Sequence, residues 1–362
     1  MNGTPDRATR ALLWEPWLGG PTVHCYLCAH HCRVEAGARG LCAVRENRDG
    51  VLYTLTYGCP ISAGVDPIEK KPLFHFLPGT TSYSIATVGC NFTCLFCQNS
   101  DISQMPRDQR RIQGGSIEPE EVVERALEAG CASISYTYTE PTIFFEYALA
   151  CAQRASDAGL KNVFVTNGYM TKECLDLIDG HLHAANVDLK AFTDEFYREV
   201  VGSRLKPVLD SISRLVDMGV WVEVTTLLIP GRNDSEDELA RLAGFLASLS
   251  PDLPWHVSRF HPTYRMLDVP PTPISSVERA LEAGKKAGLR YVYAGNIWGH
   301  DSESTVCPHC GTVVIERRGF ALGKTGLDGA RCAECGEHIP LVLDSAARTA
   351  GARTVGIDKE TT

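Results

Sequence analysis

The sequence predicts an α/β protein, with parallel strands alternating with amphipathic helices and a small cysteine-rich unit at each end. Three observations predict it. From Ser82 onward, short apolar runs alternate six or seven times with stretches of helical period. Four of the helical stretches close on a glycine, at 129–130, 158–159, 218–219 and 287–288, where a left-handed cap is needed. Finally, eleven of the 15 cysteines fall into three tight groups rather than being scattered.

Taken in order, residues 1–20 read as a loose leader. Residues 21–80 read as a Cys/Gly-rich segment with strand-like pieces such as 51–56, ending at Pro78-Gly79. Strands are predicted over 83–88, 133–137, 162–166, 185–189, 221–229, 256–260 and 290–293, because each is a short apolar run. Helices are predicted between them over 119–129, 142–158, 172–179, 208–218, 236–249 and 276–287. The first starts at Glu118-Pro119-Glu120-Glu121, with proline in the first turn and acids at the positive end of the dipole. Strict β–α alternation implies right-handed crossovers, hence a barrel or an open parallel sheet, with the chemistry at the C-terminal ends of the strands. The expected division is 1–80, a metal-binding N-terminal segment; 81–300, the β/α body; 301–345, a four-cysteine module; and 346–362, a frayed polar tail.

The chain has 362 residues, 35 basic and 44 acidic, for a formal charge of −9. A negative chain is a poor generic binder of nucleic acid or anionic membrane. No apolar run approaches the ~20 residues of a membrane span, and the N-terminus lacks a signal peptide's apolar core, so a cytoplasmic protein is expected. Hydrophobic residues at 44% and charged residues at 22% exclude wholesale disorder. In a reducing compartment, clustered thiols imply metal or redox chemistry rather than disulfides.

The strand at 83–88 runs into Cys90-Asn91-Phe92-Thr93-Cys94-Leu95-Phe96-Cys97. Three thiolates on one short loop can hold three irons of a 4Fe–4S cubane, leaving the fourth open for a ligand; a zinc loop or core thiols are the alternatives. This C-x3-C-x-aromatic-C arrangement, after a strand and before β–α repeats, resembles the radical S-adenosylmethionine (SAM) superfamily. The resemblance implies a partial (β/α)6-type barrel in which Cys90, Cys94 and Cys97 bind a 4Fe–4S cluster. It further implies that SAM, chelating the open iron, is cleaved to methionine and a 5′-deoxyadenosyl radical.

Resemblance to the branch containing pyruvate formate-lyase activating enzyme covers roughly residues 20–300. It implies SAM contacts from Phe96, and from Tyr138, Thr139 and Glu140 in Thr137-Tyr138-Thr139-Glu140-Pro141. In that last segment the family's Gly-Gly-Glu-Pro keeps its acid and proline but loses both glycines. It also implies contacts from Asn167 and from Asp188 and Lys190, whose charges share one side of a strand. Glu223, Thr225, Thr226, His256, Arg259 and His261 are pocket-lining candidates, with Glu223 and Thr225 on one face and His256 expected on the side opposite Arg259. None is assigned a catalytic role.

Cys307, Cys310, Cys332 and Cys335 form two C-x2-C-G knuckles similar to those of zinc ribbons and rubredoxins, with zinc favoured. His309 and His338 nearby are not counted as ligands. Cys25, Cys28, Cys32 and Cys42 imply either zinc or an auxiliary iron–sulfur cluster, and spacing leaves both open. The joint layout resembles the radical SAM component of the AmmeMemoRadiSam system, through Asp66-Pro67-Ile68-Glu69-Lys70-Lys71-Pro72-Leu73, Arg259-Phe260-His261-Pro262 and the C-terminal knuckles. That resemblance implies AMMECR-type and Memo-like partners, plus an external electron donor such as flavodoxin or ferredoxin. The expected activity is hydrogen abstraction from a protein or peptide. The alternatives are a catalytically silent metal-binding adaptor or electron carrier, and an RNA-modifying enzyme using Arg317, Arg318 and Lys324 as a basic arm.

Overall fold

The computed structural model describes residues 8–297 and 301–344; the polar tail expected at 346–362 lies outside them. The body is an eight-stranded sheet whose spatial order follows the chain. Its strands are β1 (Ser62–Pro67), β2 (Thr81–Ala86), β3 (Ser133–Tyr136), β4 (Lys161–Thr166), β5 (Ala184–Asp188), β6 (Trp221–Leu228), β7 (Trp255–Arg259) and β8 (Val292–Gly295). All neighbours from β2 to β8 pair in parallel, while β1 runs antiparallel to β2. Among the described residues no pairing joins β1 to β8, so the sheet is open. Its helices are α1 (Pro119–Glu128), α2 (Phe145–Asp157), α3 (Lys172–Ile178), α4 (Leu205–Asp217), α5 (Glu236–Leu249) and α6 (Ile274–Ala287).

Local chemistry explains these elements. α5 starts where the Ser235 side chain accepts from the Glu238 N–H, and it buries Leu239, Leu242, Ala243 and Leu246 on one face at helical spacing. No described helix is long and apolar enough to cross a membrane. Two sequence expectations change. β1 lies inside the segment assigned to the N-terminal unit, yet it completes the main sheet by pairing over its whole length with β2. The leader is not loose throughout, because Thr9–Arg10 pairs with Val51–Thr54, and Trp14–Pro16 with Val23–Cys25. Strands this short carry no apolar period of their own and depend on the hairpins beside them.

One face of the sheet is unusually polar. Parallel register aligns Ser84 with Ser135, Asn186 with Glu223, Thr225 with His256, and His256 with Tyr293. Residues 68–77 cover the lower part of this face. Ile68, Leu73, Phe76 and Leu77 cluster with Val163 and Ala184. The Phe74 and His75 N–H groups donate to Glu223 at 3.0 and 2.8 Å, and the Asn186 amide donates to the Pro72 carbonyl at 2.9 Å.

The C-terminal module closes over this plug. Leu77 N–H donates to the Val342 carbonyl and Val342 N–H to the His75 carbonyl, while Phe74, Tyr291 and Tyr293 pack with Val314 and Ile339. Arg317, expected on an RNA-binding arm, is instead buried. It donates to the Phe74 carbonyl and Thr305 and stacks over Phe74, its guanidinium 4.3 Å from the ring centroid. A guanidinium engaged in this way cannot reach a phosphate.

His75 sits in this interface, with Nδ1 2.7 Å from the Pro340 carbonyl and Nε2 against the Tyr293 hydroxyl. That pairing fits a neutral ring, and burial lowers its pKa to about 4. Its contribution to stability is therefore complete above the unfolded value of about 6.5 and is lost as the pH falls toward 4. Urea unfolding between pH 7.5 and 4.5 is expected to show stability falling with pH, and falling less steeply in His75→Gln. Part of the slope should remain from His183, which burial also lowers to about 4. Equal slopes in the two proteins would refute this assignment.

Candidate functional site

The three-cysteine loop leaves β2 at the C-terminal edge of the sheet. It begins at Gly89, at φ +107°, where a Cβ would lie 2.8 Å from Val44 Cγ1. The loop backbone is clamped from the far side: the Thr93 and Leu95 N–H groups donate to the Val201 and Val200 carbonyls at 2.9 and 3.0 Å. Those carbonyls belong to a π-turn, Tyr197–Val201, that ends at Gly202 with φ +81°. A Cβ on Gly202 would collide with the Thr93 hydroxyl. Gly202→Ala therefore combines a left-handed alanine, costing about 1–2 kcal/mol, with displacement of the residue before Cys94. Its reconstituted iron content is expected to fall well below wild type by metal analysis, and wild-type iron loading would contradict the clamp.

The sulfurs are surrounded by polar groups. Phe92 N–H donates to Cys90 Sγ at 3.4 Å, the Asn167 amide lies 3.8 Å from the same sulfur, and Ser103 Oγ is 3.1 Å from Cys97 Sγ. Donors around thiolates tune and retain an iron–sulfur cluster, so this donor set fits a 4Fe–4S group held by Cys90, Cys94 and Cys97. Arg107 braces the loop from beneath, donating to the Cys90 and Phe92 carbonyls, each at 3.3 Å.

The residues expected around SAM fall into three groups. Lys190, Asp188 and Phe96 converge beside Cys94: the ammonium donates to Asp188 at 3.0 Å and lies 5.7 Å from the Phe96 ring centroid. Burial by itself would lower the Lys190 pKa, but Asp188 and Cys94 hold it above its ordinary value. Asn167 stands over Cys90, donating to Asn91 Oδ1 at 2.7 Å. Glu140 lies behind it and spends its carboxylate on protein groups: Thr142 N–H and hydroxyl, the Thr166 hydroxyl, and Asn167 N–H. Its position thus sets Asn167 and starts the turn at Pro141–Phe144. Thr139 donates to the Thr87 carbonyl at 2.8 Å. Tyr138, at φ +62°, turns its hydroxyl to Asp66, and its carbonyl accepts from Asn99 at 2.8 Å.

Asp66 also accepts from Lys70 and Lys71, each at 2.7 Å. Burial alone would raise this carboxyl, but the bonds from Lys70, Lys71 and Tyr138 hold it well below the usual range. Lys71 is fully buried, and desolvation lowers it to about 8. The sequence pattern alone gives this segment no place at the site. The paired lysines after an Asp-Pro strand end were the available signal, but their partner Tyr138 is 67 residues from Lys71. Asn91, Asn99, Ser103 and Arg107 were also missed, since isolated amides and hydroxyls carry no spacing signal. Of the pocket candidates on β6 and β7, Arg259 donates to the Thr272 carbonyl at 2.6 Å and Thr225 accepts from the Asn186 amide at 2.8 Å, while Glu223 and His256 pair with each other. Glu223 is fully buried and accepts from His256 Nε2 at 2.6 Å.

The two four-cysteine groups differ in geometry. The sulfurs of Cys307, Cys310, Cys332 and Cys335 all lie within 4.8 Å of one another, with contacts of 3.6 and 3.7 Å. A single ion bound at about 2.3 Å to each of four tetrahedral sulfurs sets them about 3.8 Å apart. The knuckles match each other: Gly311 and Gly336, both at φ +77°, donate to the Cys307 and Cys332 carbonyls. This is a zinc-ribbon-like module. The N-terminal four line one cavity together with His30 and Arg45.

A parallel β/α sheet that carries an open three-thiolate loop at its C-terminal edge defines a class of iron–sulfur enzyme. The sequence model of the radical SAM superfamily matches residues 84–243. The Methanocaldococcus jannaschii protein MJ0808 is 46% identical over 324 residues, covering 89% of this chain and 96% of that one. The pyruvate formate-lyase-activating enzyme of Staphylococcus aureus is 21% identical over 222 residues, 58% of this chain and 88% of the enzyme. Among solved structures, a radical SAM methyltransferase from Sphaerobacter thermophilus superposes with a TM-score of 0.47 at 17% identity, covering 60% of this chain and 67% of that one. The chain belongs to the radical SAM superfamily.

Proposed function

We propose that the protein cleaves SAM reductively and uses the radical to abstract hydrogen from a protein or peptide, in the manner of an activating enzyme. The observation that carries this reading is the convergence of Lys190, Asp188 and Phe96 beside Cys94, whose loop carries three thiolates that would leave one iron of a bound cubane free. When bound, the cluster and SAM supply the electron and the sulfonium whose cleavage gives methionine and the 5′-deoxyadenosyl radical. The chain's own residues bind and orient. The Lys190 ammonium suits the SAM carboxylate, and Asp188 suits a ribose hydroxyl or the amino group. Phe96 offers ring and backbone to adenine. Asn167, held by Glu140 and Asn91, and the Tyr138–Thr139 backbone complete the rim, while the buried face beneath excludes water.

A protein substrate is favoured by the likeness to an enzyme that activates pyruvate formate-lyase. AMMECR-type and Memo-like proteins are the first partners to test, with flavodoxin or ferredoxin as electron donor. The C-terminal module would hold zinc, which supplies folding energy to a unit too small for a core of its own.

The test is anaerobic. Reconstituted protein with dithionite and SAM is expected to form methionine and 5′-deoxyadenosine in equal amounts by mass spectrometry. Lys190→Met should keep its iron but need roughly 10- to 100-fold more SAM for half-maximal cleavage, the equivalent of losing a charged hydrogen bond. A wild-type protein that binds SAM at a reducible cluster yet forms neither product, with or without partners, would defeat the proposal.

A further inference from the structure

We infer that Cys25, Cys28, Cys32 and Cys42 hold a second 4Fe–4S cluster, packed directly behind the SAM-cluster loop, rather than zinc. The four side chains surround one cavity. Cys25 and Cys32 face each other across the antiparallel pair Val23–Cys25 and Cys32–Val34, Cys28 sits in the turn between them, and Cys42 closes the ring from a separate loop. The arrangement is too open for a single ion. Among the described residues, only the C-terminal set has sulfurs all within 4.8 Å of one another, and sulfur–sulfur contacts appear there and not here. Zinc would draw the sulfurs to about 3.8 Å. A cubane places each thiolate on a different iron and so spreads the four around a volume.

A second observation lies at the cavity wall. Arg45 is 2% exposed and lines it, with Nη1 on Glu146 at 2.8 Å and Nη2 on the Leu12 carbonyl. Its Nε is buried and has no hydrogen-bond partner. A buried N–H left unpaired costs about 1–3 kcal/mol. A sulfide or thiolate of a bound cluster would satisfy it, and the guanidinium would offset the cluster's negative charge.

The site is also continuous with the catalytic loop. His30 Nε2 lies 2.8 Å from the Asn91 carbonyl, one residue past Cys90. A single Arg107 nitrogen donates to both the Leu41 and the Cys90 carbonyls. The Cys42 carbonyl lies 3.4 Å from where Gly89 would carry a Cβ. The two clusters would therefore be neighbours, close enough for their reduced spins to interact.

The experiment uses the full chain, reconstituted anaerobically with iron and sulfide, and counts iron, sulfide and zinc. Wild type should contain about eight irons and eight sulfides, at roughly four of each per cubane. The variant Cys90→Ala/Cys94→Ala/Cys97→Ala should keep about half of both, with a dithionite-reducible cluster signal that SAM does not perturb. Sulfide excludes a single iron in the C-terminal knuckles as its source. Cys25→Ala/Cys28→Ala/Cys32→Ala should lose the other half, and with it the spin–spin broadening of the reduced wild-type spectrum. If that variant fails to fold, the first decides alone. A first variant without sulfide, or one carrying two zincs, overturns the inference.

Discussion

Cys94→Ala is expected to reduce 5′-deoxyadenosine formation to background while leaving the C-terminal metal in place. Cys94 is the buried middle cysteine of the loop, and the N–H groups flanking it are fixed to the π-turn, which keeps neighbouring thiols from swinging in to replace it. Without it two thiolates remain, too few to hold a cubane with one open iron. Of the C-terminal cysteines, Cys307 and Cys332 belong to a separate cluster of side chains around Phe74 and Tyr293, away from the loop. Metal analysis and mass spectrometry on the same sample check both halves. Product formation at wild-type rate would remove the cluster from this loop, and loss of zinc together with iron would mean that the variant had unfolded.

Glu223→Ala should be among the most destabilising single substitutions in the chain. Glu223 is fully buried and accepts from His256, Trp221 and two backbone N–H groups, those of Phe74 and His75. Burial alone would raise its carboxyl, but the His256 hydrogen bond and charge hold it below the ordinary value. Removing one partner of a buried pair costs about 3–5 kcal/mol, and each orphaned N–H adds about 1–3 kcal/mol. Against a typical stability of about 5–15 kcal/mol, the loss leaves little. Urea unfolding should show the midpoint collapsing in Glu223→Ala and falling less in Glu223→Gln, which keeps one acceptor oxygen. A loss below about 1 kcal/mol for alanine would mean that the plug at 68–77 is held by its apolar contacts alone.

Because Glu223 binds the plug and the plug binds the C-terminal module, the same substitution tests whether the module closes the base of the sheet. Loosening the plug should expose Phe74 and Tyr293 together, which tyrosine fluorescence and proteolysis at 68–80 would detect. The three-cysteine loop lies at the opposite ends of the strands. Any activity that survives in the folded fraction should therefore show an unchanged requirement for SAM.

What the sequence by itself determined was local. The parallel strands and their helices appear close to where apolar period and terminal glycines predicted them, with α5 matching from end to end. Period and caps depend on residues a few positions apart, and so do the three-cysteine loop and each of the two C-terminal knuckles. The tertiary structure decided what joins distant parts of the chain. Glu223 meets Phe74 across 149 residues, and Arg317 meets Phe74 across 243, which turned an expected surface arginine into a buried strut. It also decided that Glu140 serves the protein's own amides, and that the two sets of four cysteines, alike in number, differ in spread. Spacing along a chain shows that thiols can meet. How far apart their sulfurs stand is set by the strands that carry them, and that distance distinguishes a site for one ion from a site for a cluster.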